Sequence, residues 1–179
     1  MLVIGAGYMA KEYIKVLVDI LHPDSQVYIV RRKSTQLDLD VQFGCGIQFF
    51  YGGLEPFLQK FNGKIRFDLI INAVSVEHLF DVNSLLLQSE LGSVILSEKP
   101  ACLSLREARK LKKLSKQHKK ALYVGYNRRF YSSVLYLRKF LESSGEKINM
   151  AVFSFSEILA SVTHYPDIVK KRLIPANSS

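Results

Sequence analysis

Short apolar runs rich in β-branched residues alternate along the chain with longer segments in which apolar positions recur every three or four residues. "MLVI" (1–4) reads as a strand stopped by Gly5-Ala6-Gly7. "YMAKEYIKVLVDIL" follows, and Met9, Tyr13, Val16, Leu17 and Ile20 recur at helical spacing until "HPDS" breaks the pattern. "QVYIVRR" is a second strand. "LDLDVQFGCGIQFFYGG" places one short strand among glycine-marked loops, and "LEPFLQKFN" is a short helix. "FDLIINAVS" is almost continuously apolar, the mark of a strand buried on both faces. A helix over "VEHLFDVNSLLLQSEL", a strand over "SVILSEKP", a helix over 106–120 and a strand over "ALYVGYNRRF" come next. The helix "YSSVLYLRKFLESSG" and the start of a strand in "INMAVFSFSEIL" complete the pattern. Strands separated by helices of this length predict βαβ units, hence an α/β fold with a doubly wound parallel sheet. Right-handed crossovers place helices on both faces, and ligands bind at the C-terminal ends of the strands.

The size fits that reading. With 179 residues, 48% of them hydrophobic and 23% charged, the chain can form one domain with a sizeable core, or one domain plus part of another. Cys45 and Cys102 form neither a CxxC nor a Cys/His cluster, so no disulfide framework or metal site is expected, and a reducing cytoplasm suits the chain. No apolar run reaches the roughly 18 residues needed to cross a bilayer, and "MLVI" runs straight into glycines rather than into a signal peptide. No membrane partner is expected. The net charge of +9 suggests nucleic acid at first sight, yet "REARKLKKLSKQHKK" (106–120) alone holds eight basic residues against one Glu. Leu105, Ala108, Leu111, Leu114 and His118 recur there at helical spacing, which makes an amphipathic helix with a solvated basic face. No nucleic-acid-binding motif accompanies it, so no nucleic-acid partner is expected.

The first turn carries the chemistry. Gly5-x-Gly7-x-x-Ala10 joins a strand to a helix. Gly5 permits the tight turn, Gly7 lets the backbone approach a pyrophosphate, and Ala10 allows close helix–strand packing. The helix N-terminus adds free N–H groups and a positive dipole end. A methyltransferase also uses a glycine-rich first loop. Both it and an NAD site want an acid at the end of the second strand, to meet a ribose diol. Here that position reads Arg31-Arg32-Lys33-Ser34. Guanidiniums there suit a 2′-phosphate, which favours NADP over NAD and disfavours the methyltransferase.

Gly5-x-Gly7-x-x-Ala10, "DLIINAVSVEH", "VILSEKP" and "YVGYNRRF", in this order over residues 1–157, resemble the glucose–fructose oxidoreductase / inositol dehydrogenase / MocA family of NAD(P)-dependent oxidoreductases. The resemblance implies a Rossmann domain over residues 1–126 and the start of a truncated C-terminal α/β domain over 127–179. It implies that Gly5, Gly7, Tyr8 and Met9 cradle the pyrophosphate, with Arg31, Arg32 and Ser34 at the adenosine end. Ala73, Val74 and Ser75 would line the nicotinamide loop, and His78 would open the following helix. Glu98 and Lys99 match the family's Glu-Lys-Pro, in which the Lys bonds the reacting hydroxyl and the cofactor. Asn127 and Arg128 match the pair that closes over the nicotinamide side. The implied cofactor is NADP or NAD, and the implied substrate a sugar, an inositol or a nucleotide sugar. A homo-oligomer is a further implication, because the family's second domain often carries a dimer sheet. In many members the peptide before this Pro is cis.

Two departures stand out. Val74-Ser75 replaces the usual Pro-Asn before the His. The Asp-x-x-x-His expected on the second domain is also missing: "THYPDIVKK" has His164 and Asp167 in the wrong order, and about 150 residues of a usual second domain do not follow. The expectation is therefore the cofactor half of an oxidoreductase, the alternative being a non-catalytic dinucleotide-binding module.

Overall fold

The computed structural model describes residues 1–33, 46–145, 147–148 and 150. Six parallel strands form one sheet: β1 (Leu2–Ile4), β2 (Gln26–Arg31), β3 (Gly46–Tyr51), β4 (Ile70–Asn72), β5 (Val94–Ser97) and β6 (Ala121–Val124), in the order β3-β2-β1-β4-β5-β6. The chain winds outward from β1 in one direction, then returns to pair β4 with β1 and winds outward in the other. That reversal is the switch point at which such sheets open a crevice. The first helix, α1 (Tyr8–Ile20), follows β1; α2 (Leu54–Phe61) follows β3; α3 (Leu79–Gln88) follows β4; and α4 (Leu105–Gln117) follows β5.

Alternation along the central strands divides the core in two. Leu2, Ile4, Val30, Ile70 and Ile95 face one side and pack with Phe57, Leu86, Leu87, Leu91 and Leu111 from α2, α3, α4 and the loop after α3. Val3, Val27, Ile29 and Ile71 face the other and pack against Ala10, Ile14 and Leu17 of α1. Tyr28, Phe50, Phe57, Phe61 and Phe67 meet edge-on or tilted at one end of the first layer, arrangements that aromatic quadrupoles favour.

Several helical faces differ from the sequence expectation. In α1 the buried stripe is Ala10, Ile14 and Leu17, while Met9, Val16 and Ile20 are exposed. Small Ala10 is what lets the helix approach the sheet, so the packed face is centred on it rather than on the larger side chains. In α4 Leu111 is buried, but Leu105 and His118 are exposed. Lys120, expected on the solvated basic face, turns its ammonium inward and donates to the carbonyls of Leu86 and Ser89 at the end of α3. Burial pulls its pKa down, Arg66 adds to that, and Glu90 opposes it. The segment "VEHLFDVNSLLLQSEL" divides into a 3-10 turn (Val76–His78) and α3. Strand β6 stops at Val124, and Asn127–Phe130 is a second 3-10 turn.

The chain divides into two compact units, Met1–Gly125 and Tyr126–Ser179. The first holds the sheet. In the second, the described elements are the 3-10 turn and α5 (Ser132–Ser144), where Arg138 pairs with Glu142 at 2.8 Å. The expected strand in "INMAVFSFSEIL", together with His164 and Asp167, lies outside the described residues apart from Ile148 and Met150, which are in no regular element.

Candidate functional site

The C-terminal edge of the sheet gathers most of the residues singled out by sequence. Gly5 ends β1 with φ +123°, a conformation that L side chains rarely adopt. Its N–H donates to the Val30 carbonyl at 3.0 Å, and a Cβ built on it would lie 2.4 Å from the Ala73 carbonyl oxygen. β1 and the β4 loop therefore close on each other as no other residue would allow. Gly7 is the N-cap of α1 and differs in kind: a Cβ there would meet nothing within 4 Å. No side chain caps the first turn of α1, and its first helical hydrogen bond runs from Lys11 N–H to the Gly7 carbonyl. The N–H groups of Tyr8, Met9 and Ala10 precede that bond at the positive end of the helix dipole. An open cradle over Gly7 with amide donors behind it fits a dinucleotide pyrophosphate.

Two arginines end β2, and the structure separates them. Arg31 is buried, 7% exposed, whereas Arg32 is exposed. Ser34 lies outside the described residues. Arg32 lies close enough to Glu77, in the 3-10 turn after β4, to act on its carboxyl. Burial alone would raise the Glu77 pKa; its own N–H, the Ser75 hydroxyl at 2.7 Å and the positive fields of His78 and Arg32 outweigh that and hold it below the ordinary carboxylate range. Arg32 and Glu77 thus follow the two strands that flank β1. Ala73 is buried, Val74 and His78 are half-buried, and Ser75 is exposed, all on the loop and turn after β4.

The Glu-Lys-Pro stretch follows β5 on the same edge. The Lys99–Pro100 peptide is cis. Lys99 is exposed. Glu98 is only 8% exposed: one carboxylate oxygen accepts from the Tyr13 hydroxyl at 2.7 Å and the other from the Lys99 backbone N–H at 3.3 Å. Burial, and then the hydrogen bond and charge of Glu98, push the Tyr13 phenol well above its ordinary pKa. Beneath this stretch is a buried polar chain. The Asn72 amide donates to the Asn83 carbonyl oxygen at 2.9 Å, and the Asn83 amide donates to Ser97 Oγ at 2.8 Å and to the Ala101 carbonyl at 3.2 Å. One amide of α3 therefore holds both ends of the segment that carries Lys99. Asn127 and Arg128 lie in the 3-10 turn of the second unit.

Sequence reading passed over Tyr13, Asn83 and Glu77. Tyr13 sat in an apparently apolar stripe. The signal for Asn83 was faint: like Asn72 it is a polar residue inside an apolar run, which demands a partner when buried.

The sequence of residues 1–126 matches the oxidoreductase family with an NAD-binding Rossmann fold. The chain belongs to this family. Its cofactor class is accordingly a nicotinamide dinucleotide, NAD or NADP. No curated protein is matched by the sequence. Among solved structures, myo-inositol 2-dehydrogenase from Lactobacillus plantarum is similar with a TM-score of 0.64 at 19% identity, over 80% of this chain and 41% of that one. The WlbA dehydrogenase from Thermus thermophilus, solved with NAD and α-ketoglutarate, gives 0.64 at 22% identity, over 82% and 47%. UDP-N-acetylglucosamine 3-dehydrogenase from Acidithiobacillus ferrooxidans gives 0.59 at 20% identity, over 78% and 42%. The chain thus spans less than half the length of each of these oxidoreductases.

Proposed function

We propose that this chain is the cofactor-binding half of an NADP-dependent oxidoreductase acting on a hydroxyl or carbonyl of a sugar, an inositol or a nucleotide sugar. The observation that carries the reading is the arrangement at the switch point: an uncapped α1 over an open Gly7, with an exposed arginine after β2 and an exposed lysine after β5. When bound, the dinucleotide supplies the hydride acceptor or donor. The first turn of α1 binds its pyrophosphate, and Arg32 pairs with the 2′-phosphate. Arg31, being buried, leaves that role to Arg32. Ala73, Val74, Ser75 and His78 line the nicotinamide side. Lys99 hydrogen-bonds the reacting oxygen and carries a proton to or from it as the carbon changes oxidation state. Support for a sugar-type substrate comes from the names of similar structures, two of which act on an inositol and on a nucleotide sugar. A cytoplasmic setting suits the two unpaired-by-pattern cysteines, and among the described residues no helix is long and apolar enough to cross a membrane.

The decisive measurement is a fluorescence titration with NADPH and NADH. NADPH is expected to bind more tightly, and Arg32→Ala to weaken NADPH by about 1–3 kcal/mol, as when a charge-assisted bond is lost, while leaving NADH nearly unchanged. Equal affinity of the unaltered chain for both cofactors would overturn the NADP assignment.

A further inference from the structure

We propose that Tyr13 is a positioning residue for Lys99, acting through the Glu98 carboxylate. This rests on the reading of Lys99 as the amine that faces the nicotinamide end.

Glu98 is a buried carboxylate on the rim of a site, and its two oxygens hold two different things. One takes the hydroxyl of Tyr13, a residue of the cofactor helix α1, at 2.7 Å. The other takes the backbone N–H of Lys99 at 3.3 Å. The carboxylate is thus a bridge from α1 to the peptide that bears the amine. Its own backbone N–H donates to the Asn72 carbonyl at 2.8 Å, which fixes the Glu98 main chain against the end of β4. The Tyr13 bond fixes its side chain. Gly125 closes over the pair: its N–H donates to the Ser97 carbonyl at 2.9 Å, and a Cβ on it would stand 3.2 Å from the Tyr13 hydroxyl oxygen and 3.5 Å from Glu98 Oε1. A larger residue at 125 would push the bridge apart. With water largely excluded, a hydrogen bond to an ionised group holds its geometry more firmly than at an exposed site.

The consequence is specific. Helix α1 carries the proposed pyrophosphate cradle at one end and Tyr13 one and a half turns along. A single rigid element then sets both the cofactor's height over the sheet and, through Glu98, the position of the reacting amine. Removing only the hydroxyl should leave the cradle intact and release the amine.

The test uses the 179-residue chain, NADPH and a small amine-acetylating reagent, with modification of Lys99 followed by peptide mass spectrometry. In the unaltered chain, saturating NADPH is expected to slow acetylation of Lys99 by about tenfold. Tyr13→Phe is expected to bind NADPH within about threefold of the unaltered chain and yet to lose most of that protection, since a displacement of ~1 Å suffices to spoil a positioned group. Glu98→Ala removes both acceptors and should behave alike; it serves as the second variant if Tyr13→Phe does not fold. Full protection retained in a folded variant would overturn the proposal while the reading of Lys99 stood. A loss of NADPH affinity as large as the loss of protection would also overturn it, by showing an effect on the cradle instead. Binding of NADPH without protection of Lys99 in the unaltered chain would remove the reading on which the proposal rests, and the proposal with it.

Discussion

Two glycines a pair of residues apart serve different ends. Gly5 is required by the fold: its φ is positive, and a side chain would strike the Ala73 carbonyl. Gly5→Ala is expected to cost about 1–3 kcal/mol from backbone strain, with the clash in addition, read as a lowered denaturant midpoint. Gly7→Ala should leave stability within about 0.5 kcal/mol, because the new methyl meets no neighbour. If the cradle holds a pyrophosphate, the same methyl intrudes on it, and NADPH titration should show affinity reduced by at least about tenfold, a loss of about 1.4 kcal/mol. Tyr13 gives a pH signature. Its folded pKa is raised, so the stability it contributes is fully present below the free phenol's pKa of about 10 and is lost as pH rises through the folded value. Ultraviolet titration should find one tyrosine ionising after the rest, and Tyr13→Phe should flatten the alkaline fall in stability. The glycines were legible in the sequence because Gly-x-Gly-x-x-Ala between a strand and a helix has few other uses. Tyr13 was not, since nothing local distinguishes a tyrosine that fills a core from one whose hydroxyl is spoken for 85 residues away.

At the level of elements, the central strands and most helices could be read from periodicity, and the departures have identifiable causes. Ala10 contributes little hydrophobicity but determines which face of α1 reaches the sheet. Strand β4 is three residues long, and Asn72 at its end donates its side-chain amide to Asn83. That contact stitches α3 to β4, β5 and the segment after β5. Asn83→Ala would leave the Asn72 amide only its longer bond to the Leu79 carbonyl, at 3.5 Å, and free the two groups at the ends of the Lys99 segment. A loss of about 1–3 kcal/mol is expected, seen as a lower melting temperature with an unaltered circular-dichroism spectrum below the transition. Asn83→Asp keeps an acceptor for Asn72 but removes the donor to Ser97 and Ala101, so it should recover only part of the loss.

For the whole molecule, every described core residue lies between Leu2 and Leu111, inside the first unit. A chain ending at Gly125 is therefore expected to unfold cooperatively with a melting temperature within a few degrees of the 179-residue chain. A drop much beyond the ~4 °C that corresponds to about 1 kcal/mol in a domain of this size would show that the second unit supports the first. The parallel, doubly wound architecture was legible from the alternation of elements alone. Which residues of the sheet edge meet was not, because strand order is a property of long-range pairing.

That pairing has a consequence for how the protein is made. The register Leu2↔Ile70, Val3↔Ile71 and Ile4↔Asn72 couples the first strand to one that is synthesised much later, and Gly5 closes against Ala73. During translation, β1 and β2 can meet early, yet the turn between β1 and α1 has no far wall until β4 has left the ribosome. The nascent chain therefore carries its β1–α1 turn without a partner surface through more than half of the first unit's synthesis, and the turn is closed when the sheet reverses direction.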